Sequence, residues 1–253
     1  MVQSPHKDYF KIASDWNKVY RAIFYMSLIL SVIVTFWENE TINETFITIM
    51  SLTLLIIIEQ IIKYYTFKAE EIRRKDHLDN SLGSKYLHSH SQNYYDTNEI
   101  NTGLYKMIVN TFESALFSYT ISEKMRNKKV LKNLLLFICI IALSIIGFTK
   151  SKYGLTILQL FLSKDYILDF VDIYIYNSRV KNIFDDLKKL FDNNLKNNSR
   201  SINKNMSEII RLYMEYETNI SDSKIALDSS IYNQVNESLT QEWEQIKIEY
   251  KIE

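Results

Sequence analysis

The chain has 253 residues, and its 30 Lys and Arg balance 30 Asp and Glu, so it carries no net charge. Four glycines and one proline are too few for the turns of a sheet protein, which makes a Rossmann crevice, a β-sandwich or a TIM barrel poor readings. The lone cysteine, Cys139, excludes an intramolecular disulfide and a thiolate-rich metal site, while zero net charge gives no global attraction to a DNA or RNA duplex.

In chain order, a polar segment over residues 1–21 with Lys7, Lys11, Lys18 and Arg21 precedes the first uncharged run, AIFYMSLILSVIVTFW, over 22–37. A second run, FITIMSLTLLIII, covers 46–58 and is followed by Glu59 and Gln60. A third, LLLFICIIALSIIGF, covers 134–148, and a fourth begins at Tyr153 and crosses Lys164 and Asp165 on its way to Tyr176. A bilayer crossing takes about 20 residues, a length the first and third runs reach with their polar shoulders. Both runs are apolar all round the helix, whereas a helix at the surface of a soluble protein keeps a polar face. The competing reading is a soluble helical protein with these helices at its centre. Lipid is preferred, because Ser27, Ser31, Thr35 and Ser144 can bond back to their own helix at little cost. No small-residue cleavage pattern follows Trp37, so the first helix is expected to stay as an anchor.

The expected organisation is all-α: a cytoplasmic segment over 1–21, a transmembrane hairpin over 22–65, a cytoplasmic helical insert over 66–129, a second hairpin over 130–176 and a cytoplasmic helical tail over 177–253. Charge orients these four predicted transmembrane helices. Basic residues flank the N-terminal side and the insert, and the linker ENETINET carries only acidic ones, so both termini are expected in the cytoplasm. Lys150 and Lys152, in the outer turn, run against that rule.

Within the insert, residues 64–80 are expected to continue the second helix, with Asp79, Asn80, Ser81 and Gly83 as its stop. Residues 86–102 read as a loop. Residues 104–125 read as a helix with an apolar face of Leu104, Ile108, Phe112, Ala115, Leu116 and Tyr119. The tail reads as three amphipathic helices, marked by Ile183 to Leu195, by Met206 to Met214 and by Ile225 to Ile246.

Three groups of residues bear on chemistry. Asp165, Asp169 and Asp172 form one stripe at helical spacing; with Glu59 they line an aqueous path if the fourth segment spans, or stand in cytoplasm if it leaves the membrane near Lys164. The basic cluster Arg73, Arg74 and Lys75, beside His77, is an anion-binding candidate, because arginine grips phosphate through two parallel donors. Topology signalling and contact with anionic lipid are its plainer roles. Tyr95, with Tyr94, offers a ring for stacking on a base. His77, His88, His90 and Asp96 form the one metal-like cluster but match no established zinc spacing, so neither a metal nor a cofactor is expected, and no Gly-x-Ser-x-Gly elbow or phosphate-cradling loop supports an enzyme.

The strings RRKDHLDNSLG over 73–83, NYYDTNE over 93–99 and GLYKMIVNTFES over 103–114 lie between two membrane hairpins. This arrangement resembles the four-helix membrane effectors of bacterial antiphage defence systems, which disrupt or perforate the membrane and are often linked to a nucleotidyltransferase making a nucleotide second messenger. The resemblance spans about residues 20–180 and implies an inner-membrane location, a dormant homo-oligomer, and a soluble part that senses the messenger. A ligand-binding role for Arg73, Arg74 or Tyr95 is likewise implied by that resemblance. The alternative expectations are a non-conducting membrane scaffold or sensor subunit that recruits a soluble partner, and a membrane-embedded lipid enzyme.

Overall fold

The structure, a computed structural model, describes residues 4–36, 44–88, 91, 95, 97, 99–146, 167–223 and 225–252. Among the described residues there are six α-helices and no strand: α1 (Lys7–Phe36), α2 (Glu44–Leu82), α3 (Leu104–Ile146), α4 (Ile167–Asp192), α5 (Ser199–Ser223) and α6 (Ser229–Tyr250). None contains Gly or Pro, which removes the commonest reasons for a helix to stop or kink and lets α2 and α3 run for 39 and 43 residues. The expected stop of α2 is realised at Gly83, which takes φ +71 and donates its N–H to the Asp79 carbonyl at 3.0 Å. A side chain there would strain the backbone, because the left-handed region suits glycine.

Chain contacts divide the protein into two units. The first gathers Met1–Lys7, Phe67–Asn127 and Asp172–Glu253, and the second gathers Asp8–Thr66 and Lys128–Val171. Helix α2 contributes its first part to the second unit and its last part, from Phe67, to the first; α3 is shared in the reverse order.

The first unit is a helical module with a dense core. Phe112 of α3 stacks on Phe191 of α4 at 5.1 Å and meets Trp243 of α6 edge-on at 5.6 Å. Leu187, Ile209, Leu212, Ile231 and Leu239 bring α4, α5 and α6 into the same core, all with at most 2% exposure. Ile173 and Tyr176, which the sequence reading put at the end of the fourth membrane segment, are buried here. Asn177 binds α4 to α3: its amide donates to the Tyr119 carbonyl at 3.1 Å and the Ser122 hydroxyl at 2.9 Å, and its oxygen accepts from Arg126 at 2.7 Å. Asp228 caps α6, accepting from the N–H of Ser230 and Ile231, and Lys251 closes the other end in the left-handed conformation.

The second unit differs in kind. Its buried apolar side chains, among the described residues, are Ala13, Leu55 and Ile58. Exposed ones run along all three of its long helical pieces, including Met26 and Ile29 on α1, Leu52, Ile56 and Ile57 on α2, and Leu131, Phe137, Ile138 and Ile145 on α3. An open apolar groove of about 580 Å³ lies among Trp16, Ile56, Ile57, Gln60, Ile61, Tyr64 and Tyr65. Among the described residues one helical stretch, Ile49–Leu82, is long and apolar enough to cross a membrane. Residues 147–166, where much of the fourth expected span falls, lie outside the described residues.

Candidate functional site

The basic cluster singled out in the sequence sits on the last part of α2, in the helical module. Arg73 is buried, and its guanidinium is fully engaged from within the chain. Nε donates to Glu70 one turn back at 2.8 Å, and the two terminal nitrogens donate to both oxygens of Glu217 on α5, at 3.2 and 2.5 Å. Arg74 reaches the same carboxylate with its Nε at 3.3 Å, although 41% of its side chain is exposed. Three N–H groups from two arginines therefore converge on Glu217 (Fork geometry of this kind suits a planar carboxylate and a phosphate alike). Lys75 turns outward and pairs with Glu71 at 2.7 Å.

His77 lies one turn beyond Arg73 and is completely buried. Its ring stands edge-on to Tyr95 and Tyr213, each at 5.4 Å. Nδ1 is 3.3 Å from the Tyr95 hydroxyl and 4.0 Å from Glu217. Nε2 is buried without a partner in good hydrogen-bond geometry. The hydroxyl of Tyr213 is also buried without a hydrogen bond. Below this layer Ser118 and Tyr216 share a hydrogen bond at 3.0 Å.

Burial and charge set the protonation of the cluster. Burial alone would raise the Glu217 carboxyl, but Arg73, helped by His77 and Arg74, holds it below the usual range. Burial works against the Arg73 charge as well, and Glu217 and Glu70 outweigh it, keeping the guanidinium firmly protonated. For His77 burial wins: its pKa falls to about 4, with Glu217 opposing and Arg73 adding to the fall. His6, buried at the start of the chain, is also lowered to about 4, by burial and then by Arg73. Two neutral imidazoles thus flank a charged Arg–Glu pair at neutral pH.

The loop after α2 is fixed by the same helix. Asp79 accepts from the N–H of Tyr86 and Leu87 at 2.9 and 2.8 Å, and Asp76 accepts from the N–H and hydroxyl of Ser91. Asn110 of α3 accepts from Thr97 at 2.6 Å and donates to Asn80 and Ser81. The string over 73–83 is therefore read three ways by the fold: as ion pair, as histidine pocket and as loop anchor.

The remaining expected residues are dispersed. Glu59 is half-buried in the apolar unit and pairs with Lys63 at 2.9 Å. Asp172 is exposed on α4 in the helical module. Asp165, and the side chain of Asp169, fall outside the described residues. His88 is exposed, His90 and Asp96 are not described, and among the described residues no group of three or more His, Cys, Asp or Glu is placed to hold a metal ion.

Sequence reasoning missed Glu217, Glu70, Tyr213 and His6. For Glu217 a signal existed. Ile209, Tyr213, Tyr216 and Ile220 mark the inward stripe of α5, and position 217 falls on it, so a carboxylate there had to meet a buried cation. Compared with protein-family models, curated proteins and solved structures, the chain matches none.

Proposed function

We propose that the chain is a multi-pass membrane effector: the apolar unit crosses the bilayer four times, the helical module stands in the cytoplasm, and copies of the apolar unit assemble and permeabilise the membrane, an equilibrium that rises with protein density and that a ligand or partner acting on the module shifts. The observation that carries this reading is the inverted packing of the second unit. Its described helices bury three apolar side chains while Ile29 is 58% and Ile145 81% exposed. In water such a surface exceeds what a monomer tolerates; in lipid it is the surface that belongs there. Trp16, Tyr64 and Tyr65 cluster where the apolar stretch gives way to Lys63 and Lys68, the place at which aromatic belts meet the headgroups. The antiphage role rests on the resemblance of the 73–114 strings alone.

A second reading, a non-conducting scaffold that recruits a soluble partner, is favoured by a different observation: the Arg73 fork is filled by Glu217 and Glu70 of the same chain, as a purely structural ion pair would be. One experiment separates the two. Protein reconstituted at rising protein-to-lipid ratio into phosphatidylethanolamine and phosphatidylglycerol vesicles is expected to release trapped calcein, since mass action favours assembly. Confirmed insertion without release refutes the effector reading and leaves the scaffold. Recovery of untagged chain in the soluble fraction without detergent refutes both.

A further inference from the structure

We propose that Glu217 is an internal substitute for a ligand's phosphate: Arg73, Arg74 and the Tyr213 hydroxyl form an anion site that this carboxylate fills at rest, and a phosphate-bearing ligand enters by displacing Glu217, and α5 with it. The proposal deepens the ligand-responsive reading above and rests on it. Three features distinguish the cluster from an ordinary ion pair. First, three N–H groups from two arginines meet one carboxylate, where a single bidentate arginine would satisfy it. A phosphate group has a further oxygen and more charge to offer the same donors.

Second, hydrogen-bonding capacity is left over. The Tyr213 hydroxyl is buried with no partner, and its ring stands 5.4 Å from that of His77, whose Nδ1 is 4.0 Å from Glu217. Buried hydroxyls are normally paired, so an idle donor beside a cationic fork is a position for an acceptor. Third, the site has an entrance and a floor. Arg74 keeps 41% of its side chain in solvent, which gives an anion a route in. Glu70 holds Arg73 by Nε at 2.8 Å, so the two terminal nitrogens stay aimed and one countercharge remains when Glu217 leaves. The displaced carboxylate belongs to α5, whose inward stripe of Ile209, Leu212, Tyr216 and Ile220 must slide or turn to let it go. Entry of the anion is thereby a movement of a helix in the core.

The test uses full-length protein in phosphatidylcholine nanodiscs, with pyrophosphate as the probe in isothermal titration. Glu217→Gln keeps the side chain's size and removes the competing charge; it is expected to bind pyrophosphate at least tenfold more tightly than wild type. Adding Arg73→Gln to that variant is expected to abolish the gain. Equal affinity of wild type and Glu217→Gln, or a gain that survives Arg73→Gln, overturns the proposal. Trp243 fluorescence reports whether each variant folds. Should Glu217→Gln not fold, Glu217→Asp, which retracts the charge by one methylene, is expected to gain at least threefold, and no gain overturns the proposal equally. In wild type, amide exchange across 209–220 is expected to quicken at saturating pyrophosphate, and unchanged protection with the probe bound refutes displacement. Repeating the exchange measurement in nanodiscs containing phosphatidylglycerol, without pyrophosphate, identifies the phosphate source: quickening there alone makes it a lipid headgroup, and quickening with pyrophosphate alone makes it a soluble ligand. Vesicle leakage plays no part in these readouts. Binding without leakage overturns only the effector reading, and leakage without binding overturns only this one.

Discussion

Acid should loosen the helical module while Glu217 is still ionised, and two histidines set the amount. His77 and His6 have pKa values near 4 in the folded chain against an ordinary 6.5, because burial penalises the imidazolium and Arg73 repels it. The unfolded chain therefore binds more protons between these values, so stability falls as pH drops through that window. From pH 7 to pH 5 each histidine removes about 2 kcal/mol, and the pair about 4 kcal/mol, a large share of a domain's total stability. Glu217, held below the usual carboxylate range, stays ionised over the same interval. The assay is urea unfolding in detergent at half-unit pH steps. Trp243 fluorescence in a Trp16→Phe, Trp37→Phe background reports on the module core. His77→Phe keeps a ring between Tyr95 and Tyr213 and removes one titrating group, so it is expected to halve the slope of stability against pH whatever it does to stability at pH 7. A slope unchanged in His77→Phe, or a wild-type midpoint that is flat from pH 7 to 5, would refute the assignment of buried neutral imidazoles.

Two further substitutions probe how the module is joined. Asn177→Ala removes partners from Ser122, from the Tyr119 carbonyl and from Arg126 at once; leaving those polar groups unmatched should cost about 1–3 kcal/mol, read as a fall of several degrees in the melting temperature. Asp228→Ala removes the α6 cap and should cost about 1 kcal/mol, with Asp228→Ser restoring most of it, as measured by urea midpoint.

Composition made the all-helical class legible, since runs without Gly or Pro leave few places to turn. The end of α2 at Leu82 was equally readable, because Gly83 follows a run of short polar residues. The two units divide after Thr66 and after Asn127, about two helical turns from the ends of the second and third uncharged runs at Ile58 and Leu134. Other features were hidden for physical reasons. The run from Met125 to Lys129 looked like a boundary because it is polar and basic, yet Met125, Arg126, Lys128 and Lys129 are good helix formers and outweigh Asn127, so α3 passes through unbroken. Asp79, Asn80 and Ser81 read only as a helix stop, and Asp76 only as part of the continuing helix. Their burial depends on partners such as Asn110 and Ser91, and that of Arg73 on Glu217, 144 positions away. Local pattern carries no record of such pairs, whereas the odd charge on an apolar helical stripe does.

The module is assembled from three separated stretches of chain, and its core runs through Trp243 and Ile246 of α6 to Ile252. No single cut releases it. A chain stalled before α5 would hold Arg73 with Glu70 alone and the two terminal nitrogens of its guanidinium unmatched, and quality-control proteases would meet it in that open form.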